Sequence, residues 1–217
     1  MPPDEGREEA LALIAARLPV SRETLARLDL HRTLVVRGQE TQNLVAASTL
    51  PVLWTRHLLD SAQLLFHVEQ RTGRWLDIGS GAGFPGLVVA ILSDFDVTLI
   101  EPRRRRANFL RAAAAELGLA DRVTVLQAKA EAARGRFDLL SARAVAPVAD
   151  LFAAAAHLAA PGATWLLPKG RGAAAELASA RELWQGSFRL VPSITDPEAA
   201  ILLADGVRRR GREGKRA

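Results

Sequence analysis

Residues 75–86 read WLDIGSGAGFPG, and a second apolar run, VTLI at residues 97–100, leads into Glu101. This order predicts a strand, a glycine turn, a helix and another strand, which is how parallel sheets hold a nucleoside-bearing ligand. The glycines allow a sharp turn and a close approach of the backbone to the ligand, because without a Cβ they tolerate positive φ. Glu101, at the end of the second strand, can accept hydrogen bonds from both ribose hydroxyls.

From about residue 71 onward, short β-type runs alternate with longer amphipathic stretches. This alternation is typical of a parallel sheet flanked by helices. Helices are predicted to start at Pro85, Pro102, Pro147 and Ala173. The predicted fold is therefore α/β and Rossmann-like, with a mostly parallel seven-stranded sheet. Its strands are residues 75–78, 97–100, 123–127, 137–142 and 164–167, closed by a weaker antiparallel pair at residues 188–191 and 200–203.

The first 70 residues lack a strand pattern. Leu11, Ile14 and Leu18 lie at helical spacing, and Ser21 is a suitable N-cap for a second helix. A third helix is predicted after Pro51. We therefore expect an N-terminal helical cap over residues 1–70, a main domain over residues 71–205 and a mobile basic tail over residues 206–217.

The composition narrows the possible functions. The chain has 217 residues and no cysteine, which excludes a disulfide, a thiolate zinc site and a cysteine nucleophile, and no metal site is predicted. A net charge of +5 suits a polyanionic partner, although an Arg-rich, Ala-rich codon bias would produce the same value. The polar N-terminus and the lack of an apolar run of about 20 residues favour a cytoplasmic protein without a membrane segment.

The glycine turn alone fits two cofactors. Residues 81–86, GAGFPG, satisfy the G-x-G-x-x-G rule of dinucleotide dehydrogenases, in which a helix N-terminus faces a pyrophosphate. In this chain, however, Asp77 precedes glycines spaced two apart, Gly79, Gly81 and Gly83. A carboxylate is unfavourable beside a pyrophosphate but can hold the ammonium group, or an ordered water, of an amino-acid-like ligand. S-adenosylmethionine is therefore favoured over a nicotinamide cofactor, and the pattern resembles the first two motifs of the Rossmann-like methyltransferases.

The methyl acceptor is narrowed by what the chain lacks. Attack through C5 of a pyrimidine normally needs a cysteine. Methylation of an exocyclic amine usually involves an Asn/Asp-Pro-Pro-aromatic loop after the fourth strand, whereas residues 140–146 read LSARAVA. A ring nitrogen such as guanine N7 has a lone pair and no proton to remove, so positioning and electrostatics suffice. No residue is a convincing proton-transfer catalyst, which agrees with such an acceptor.

Basic residues are predicted at the ligand-binding edge of the sheet. Four consecutive arginines begin the helix after Glu101. Positive charge at a helix N-terminus is unfavourable for the helix dipole, so contact with phosphates is a reason for arginines at this position. Two more basic residues follow the fifth strand at the same edge. A solvated arginine face is the alternative interpretation. The residues predicted to contact RNA in these segments are Arg104, Arg105, Arg106, Lys169 and Arg171.

Several segments together resemble one known family. They are Asn43-Leu44, RHLLDS at residues 56–61, LDIGSGAGFPG at residues 76–86, SARAVA at residues 141–146 and Lys169-Gly170. These segments are similar to the bacterial ribosomal RNA small subunit methyltransferase G family, also called glucose-inhibited division protein B. The resemblance implies S-adenosylmethionine-dependent methylation of N7 of one guanine in the decoding-site loop of 16S rRNA. The partner would be 16S rRNA or a small ribosomal subunit precursor, and a monomer is expected.

Three other functions remain as alternatives at this point. One is a methyltransferase that acts on another RNA or on a small molecule. The second is a nicotinamide-dependent oxidoreductase, and the third is a noncatalytic RNA-binding protein that keeps the fold.

The resemblance also implies roles for single residues. Arg143 is the candidate for a positioning role in catalysis, because a cation near a sulfonium is unfavourable unless it faces the methionyl carboxylate or an RNA phosphate. Phe84 either packs on the cofactor or belongs to the core. The cofactor contacts implied by the family are Gly79, Phe84, Glu101, Pro102, Arg103, Ala130, Glu131 and Arg143.

The RHLLDS segment supplies the remaining candidates. Arg56 and His57 are predicted to contact RNA. His57 and Asp60 lie three residues apart on one helix face. They form either a shelf that faces the active site or polar contacts that dock the N-terminal helices on the main domain.

Overall fold

The computed structural model describes residues 5–70 and 72–211, and its centre is one seven-stranded sheet with the order β3-β2-β1-β4-β5-β7-β6. Strands β1 to β5 run parallel, while β7 lies antiparallel between β5 and β6. The predicted α/β fold and the antiparallel closing pair are confirmed. The strands are β1 (Arg74–Ile78), β2 (Asp96–Ile100), β3 (Val123–Leu126), β4 (Phe137–Ala142), β5 (Ala159–Lys169), β6 (Trp184–Pro192) and β7 (Ala200–Arg209).

Helices cover both faces of the sheet, as the alternating sequence pattern predicts. One face carries α4 (Gly86–Leu92) and α5 (Arg104–Glu116), and the other carries α6 (Val148–Ala155) and α7 (Ala173–Leu183). The observed starts fall within two residues of the predicted ones. Buried apolar side chains form one cluster on each face. In the second cluster, the rings of Phe152 and Trp165 meet edge-on with their centroids 5.0 Å apart.

The N-terminal helices extend the first of these clusters. Helix α1 (Arg7–Arg17) precedes α2 (Arg22–Gln39), whose N-cap Ser21 accepts a hydrogen bond from the backbone N–H of Thr24. A third helical segment consists of a π-helix at Trp54–Leu59, α3 (Asp60–Ala62) and a 3₁₀ turn at Gln63–His67. Their apolar side chains pack with those of α4 and α5, so this part shares a core with the sheet.

The strand order places a ligand site between β1 and β4. From β1 the chain proceeds through β2 and β3 in one direction, and through β4 and β5 in the other. Ligands of open α/β sheets bind where the order reverses, outside the carboxyl ends of the strands. Residues 79 and 143, which directly follow β1 and β4, therefore meet at this point.

The predicted boundary of the tail at residue 206 is wrong. Strand β7 continues to Arg209, where it pairs with Trp184 of β6, so residues 206–209 belong to the sheet. Residues 212–217 lie outside the described part of the chain. Across residues 5–70 and 72–211, no helix has the length and apolarity that a membrane crossing requires.

Candidate active site

The glycine turn between β1 and α4 has the backbone conformation that its sequence predicts. Gly79, Gly81 and Gly83 have φ values of 70°, 56° and 89°, a region that residues with a Cβ rarely adopt. The backbone N–H groups of Gly79 and Ser80 donate to the carbonyl of Ile100, at 2.8 Å and 3.1 Å. The turn is thereby fixed against the end of β2, and the two cofactor motifs of the sequence come together.

Crowding explains why Gly79 has no side chain. A Cβ built on Gly79 would lie 2.6 Å from Cγ2 of Val145, in the loop after β4. That separation is shorter than any normal carbon contact, so the loop after β4 lies directly against the first glycine of the turn. The methionyl end of a ligand placed at Gly79 would lie beside this loop.

Asp77 lies beneath the turn rather than in the site. Its carboxylate is fully buried, and its two oxygens accept hydrogen bonds from the Gly86 N–H at 3.1 Å and the Ser141 hydroxyl at 2.8 Å. Burial raises the pKa of Asp77 to about 6, against the lowering effect of these hydrogen bonds. These hydrogen bonds hold the start of α4 and the end of β4 in place. The role of Asp77 toward an ammonium group, directly or through an ordered water, stays a prediction.

Ser141 is part of this buried network, and sequence reasoning gave it no role of its own. Its hydroxyl oxygen accepts the indole N–H of Trp75 at 2.8 Å while its hydrogen is donated to Asp77. Ser141 is the β4 residue paired in register with Asp77. A polar residue within the run of residues 139–142, LLSA, whose other members are apolar, was the signal that could have identified it.

Glu101 is also buried, at 3% exposure, but its position differs from that of Asp77. One carboxylate oxygen accepts the N–H of Gly81 at 3.0 Å, and the other accepts the N–H of Arg103 at 2.9 Å. Each oxygen keeps a second lone pair, so the carboxylate can still accept from ribose hydroxyls. Glu101 thus joins the glycine turn to the loop after β2, where Pro102 and Arg103 are exposed.

A cleft of about 670 Å³ opens at the carboxyl ends of β1, β4 and β5. Its walls include Gly79, Gly81, Phe84 and Arg143 from the predicted cofactor residues, and Arg56, His57, Arg106 and Lys169 from the predicted RNA residues. Gly83, Glu101, Pro102, Arg103, Ala130 and Glu131 lie outside these walls. Ala130, which is buried, and Glu131, which is exposed, lie in a 3₁₀ turn after β3, at the same edge of the sheet.

Arg143 is held by three acceptors of the RHLLDS segment. One terminal nitrogen of its guanidinium donates to the Arg56 carbonyl at 3.0 Å and to the Asp60 carboxylate at 3.4 Å, and the other donates to Nδ1 of His57 at 2.7 Å. Burial lowers the pKa of Arg143, while the charge of Asp60 opposes this. Both interpretations of His57 and Asp60 are therefore realised, since these residues line the cleft and also dock the N-terminal segment.

These contacts determine the protonation of His57. A guanidinium can only donate, so Nδ1 of His57 must be the unprotonated nitrogen, and Nε2 donates to the Thr49 hydroxyl at 2.8 Å. Burial, followed by the positive charge of Arg143, lowers the pKa of His57 to about 3. His57 is therefore neutral, so its predicted contact with RNA would be a contact of an uncharged side chain.

Phe84 packs between charged and aromatic neighbours. Its ring lies 4.8 Å from the ring of His31, 5.0 Å from that of His57 and 5.4 Å from the guanidinium of Arg143. Only 4% of the side chain is exposed. This burial favours the core among the two predicted roles, although Phe84 also lines the cleft. His31 of α2, which the sequence did not indicate, donates from Nε2 to the Ala82 carbonyl at 3.0 Å.

Lys169 is held by two contacts within the protein. Its ammonium group donates to the Ala146 carbonyl at 2.9 Å and pairs with the Glu176 carboxylate at 2.9 Å, with only 10% of the side chain exposed. Glu176 also accepts the N–H of Val148 at 3.3 Å. These contacts neutralise the charge of Lys169 and hold the loop between β4 and α6, while its contact with RNA stays a prediction.

The remaining basic residues differ in availability. Arg104 and Arg105 are exposed, as predicted for phosphate contact, whereas Arg106 is half-buried and donates to the Asn43 carbonyl at 2.6 Å. Arg56 pairs with Asp196 at 3.0 Å, and Arg171 pairs with Glu198. Both carboxylates belong to the loop between β6 and β7. Arg56 and Arg171 are 50% and 80% exposed, so these pairs are solvated and exchangeable.

Comparisons with known proteins agree with this architecture. The family model described as rRNA small subunit methyltransferase G matches residues 24–198. A ribosomal RNA small subunit methyltransferase G of Rhizorhabdus wittichii is 48% identical over 96% of both chains, and that of Zymomonas mobilis is 44% identical over 91% of this chain and 93% of the other. Among solved structures, an S-adenosylmethionine-dependent O-methyltransferase of Thermotoga maritima superposes with a TM-score of 0.56 at 17% identity, covering 82% of this chain and 72% of that one.

Proposed function

Because the chain belongs to the rRNA small subunit methyltransferase G family, we propose that its acceptor is N7 of one guanine in the decoding-site loop of 16S rRNA. The chain is an S-adenosylmethionine-dependent methyltransferase of small-subunit rRNA. This membership excludes the nicotinamide oxidoreductase and the small-molecule methyltransferase that the glycine turn alone left open.

The described residues fit S-adenosylmethionine at the carboxyl ends of β1, β2 and β3. The cradle at Gly79 and Gly81 has no Cβ, and the Glu101 carboxylate beside it keeps free lone pairs for a ribose. Pro102, Arg103 and Glu131 would border the adenine at the ends of β2 and β3. When bound, the cofactor supplies an electrophilic methyl group on its sulfonium.

The observation that supports N7 as the acceptor atom is that each side chain in the cleft that could take up a proton is already hydrogen-bonded or ion-paired. Its walls contain four groups that could act as a base: His57, Asp60, Glu176 and Asp196. The free lone pair of His57 is taken by Arg143, and Asp60 accepts from Arg143, Gln63 and Thr195. Glu176 and Asp196 are paired with Lys169 and Arg56. A hydroxyl or amine acceptor needs a base, whereas N7 needs only correct placement.

Arg143 supplies positive charge at the switch point without a proton to exchange. Three hydrogen bonds use both terminal nitrogens of its guanidinium, and two of the five N–H donors remain for a ligand. A methionyl carboxylate or an RNA phosphate would be an acceptor for it. Either contact would offset the unfavourable placement of a cation near a sulfonium.

The RNA would approach over the exposed arginines beside the cleft. Arg104 and Arg105 start α5 next to the glycine turn and have exposed side chains for phosphate contact. Arg171 would exchange Glu198 for a phosphate on binding, and Arg56 would contact a phosphate through other N–H groups of its guanidinium while it keeps its pair with Asp196. We also propose that the protein acts as a monomer, and ribosomal RNA as the substrate supports a cytoplasmic location.

The acceptor can be identified with the purified chain. We would incubate it with radiolabelled S-adenosylmethionine and either 16S rRNA or small subunits that lack the modification, and then separate the nucleosides by mass spectrometry. The proposal expects label in 7-methylguanosine alone. Label in a base methylated on an exocyclic amine or on carbon, or in a 2′-O-methyl ribose, would overturn it.

A further inference from the structure

We infer that Val145 is the side chain against which the flat face of the acceptor guanine packs. This inference rests on the proposed function, since it assigns the base-contacting surface of the same cleft. Val145 lies in the loop after β4, three residues beyond the end of the strand. Of the Leu, Ile, Val and Phe residues lining the cleft within residues 5–70 and 72–211, it is the one with an exposed side chain, at 45%, and Pro147 beside it in the loop is exposed as well.

The position of Val145 relative to the cofactor turn is the first argument. A Cβ built on Gly79 would lie 2.6 Å from Cγ2 of Val145. The Val145 side chain therefore covers the first glycine of the turn. Gly79 and the loop both follow neighbouring parallel strands, β1 and β4, at the switch point of the sheet. A base that receives a methyl group from a cofactor at Gly79 must therefore pass Val145.

The chemistry of guanine is the second argument. The N7 lone pair lies in the plane of the ring, so the edge of the base must point at the methyl group while a face rests against a wall. The faces of a base taken out of its stack pack on aromatic and apolar side chains. Phe84, the aromatic residue of the cleft, is 4% exposed and already covered by His31, His57 and Arg143, so it cannot offer its face.

The loop holds Val145 in a fixed position. Ala144 has φ of 55°, a conformation that non-glycine residues rarely adopt and that persists where the surroundings enforce it. Before it, Arg143 is bound to the RHLLDS segment, and after it, the Ala146 carbonyl is bound to Lys169. An exposed valine held in a strained loop between two charged anchors is suited to contact a ligand.

Substitutions of Val145 can separate contact with the base from contact with the cofactor. Val145→Thr keeps the shape but places a hydroxyl on the base face, Val145→Ala shortens the side chain, and Val145→Ile keeps an apolar surface. We expect Val145→Thr and Val145→Ala to lower kcat/KM for the RNA about tenfold, with Val145→Ile within about threefold of wild type. The affinity for S-adenosylmethionine, measured by calorimetry, should stay within about twofold for all three.

A matched control is Leu183→Ala, which truncates another exposed aliphatic side chain, 52% exposed and outside the cleft. It should leave both quantities unchanged. The inference is overturned if Val145→Thr and Val145→Ala keep wild-type kcat/KM, or if they weaken cofactor binding as much as turnover. Methylation by the wild-type chain at an atom other than N7 would instead overturn the proposed acceptor, while the comparison of variants would still decide the role of Val145. A wild-type chain that methylates no RNA would overturn both.

Discussion

The guanidinium of Arg143 donates a 2.7 Å hydrogen bond to Nδ1 of His57, which joins the loop after β4 to the N-terminal helical segment. The same guanidinium contacts Asp60, whose other carboxylate oxygen accepts from Thr195 in the loop between β6 and β7 at 2.8 Å. Three distant parts of the sequence therefore meet at one side chain. The position of Arg143 in the cleft depends on all of them.

Arg143→Lys is expected to impair both stability and turnover. A lysine ammonium is a single point charge and cannot reach the Arg56 carbonyl, Asp60 and His57 together. The free energy of unfolding should fall by about 1–3 kcal/mol. In a double-mutant cycle with Asp60→Asn, chemical denaturation should show a coupling of about 0.5–3 kcal/mol, because the two side chains share one network. Strictly additive effects would show that the observed contact contributes nothing.

The pH dependence of stability should reflect the two buried histidines. Burial lowers the pKa of His31 to about 4 and that of His57 to about 3. The unfolded chain therefore binds their protons first, and this part of the stability is complete above pH 6.5 and lost as the pH falls. Asp77 acts in the opposite sense, because its raised pKa of about 6 makes the folded chain take up a proton between pH 6 and pH 4. Because the effect of two histidines is larger than that of one aspartate, these three groups together should lower the free energy of unfolding as the pH falls from 6 to 4.

Replacing one histidine isolates its part of this dependence. His57→Gln can still accept from Arg143 and donate to Thr49 but cannot titrate. Between pH 6 and pH 4.5, the decline in unfolding free energy should be shallower than in wild type by one proton, about 1.4 kcal/mol per pH unit. Denaturation curves at several pH values measure this slope. Equal slopes for the two chains would mean that His57 is not held neutral by the fold.

Lys169→Met distinguishes a structural lysine from an RNA contact. The substitution removes the cation that joins Glu176 to the Ala146 carbonyl, so it should lower the free energy of unfolding by about 1–3 kcal/mol and reduce turnover. The salt dependence of RNA binding should stay as in wild type. Arg171→Met, at a side chain that is 80% exposed, is the control and should leave stability unchanged. If Lys169→Met instead has normal stability and a weaker salt dependence of RNA binding, this result would show that Lys169 contacts RNA.

Arg104 and Arg105 should account for part of the electrostatic attraction to RNA. The double variant Arg104→Gln, Arg105→Gln removes two exposed charges, so the slope of log affinity against log salt should become shallower by about 1.4–1.8. Arg22→Gln with Arg181→Gln removes two exposed arginines from α2 and α7, away from the cleft, and should leave the slope unchanged. If both double variants have the same slope, Arg104 and Arg105 are solvated side chains that do not contact the RNA.

The sequence predicted the fold and the location of the site better than the roles of charged side chains. The glycine spacing around Gly79 and the alternation of strands and helices are local patterns, so they could be recognised directly. Asp77 and Lys169 have the residue types expected of ligand contacts, but their partners, Ser141 and Glu176, lie 64 and seven residues away and are brought close only by folding. Residue type and position at a strand end cannot distinguish a charge that faces the ligand from one neutralised below it.

The most direct test of the central claim is a measurement of 7-methylguanosine in small-subunit rRNA from a bacterial strain whose own gene for this chain is deleted. Strand cleavage at the modified base locates it. The wild-type chain should restore cleavage at one guanine of the decoding-site loop, whereas Gly79→Val, which fills the cradle against Val145, should not. Unchanged cleavage in the deletion strain, or restoration at a different nucleotide, would contradict the account.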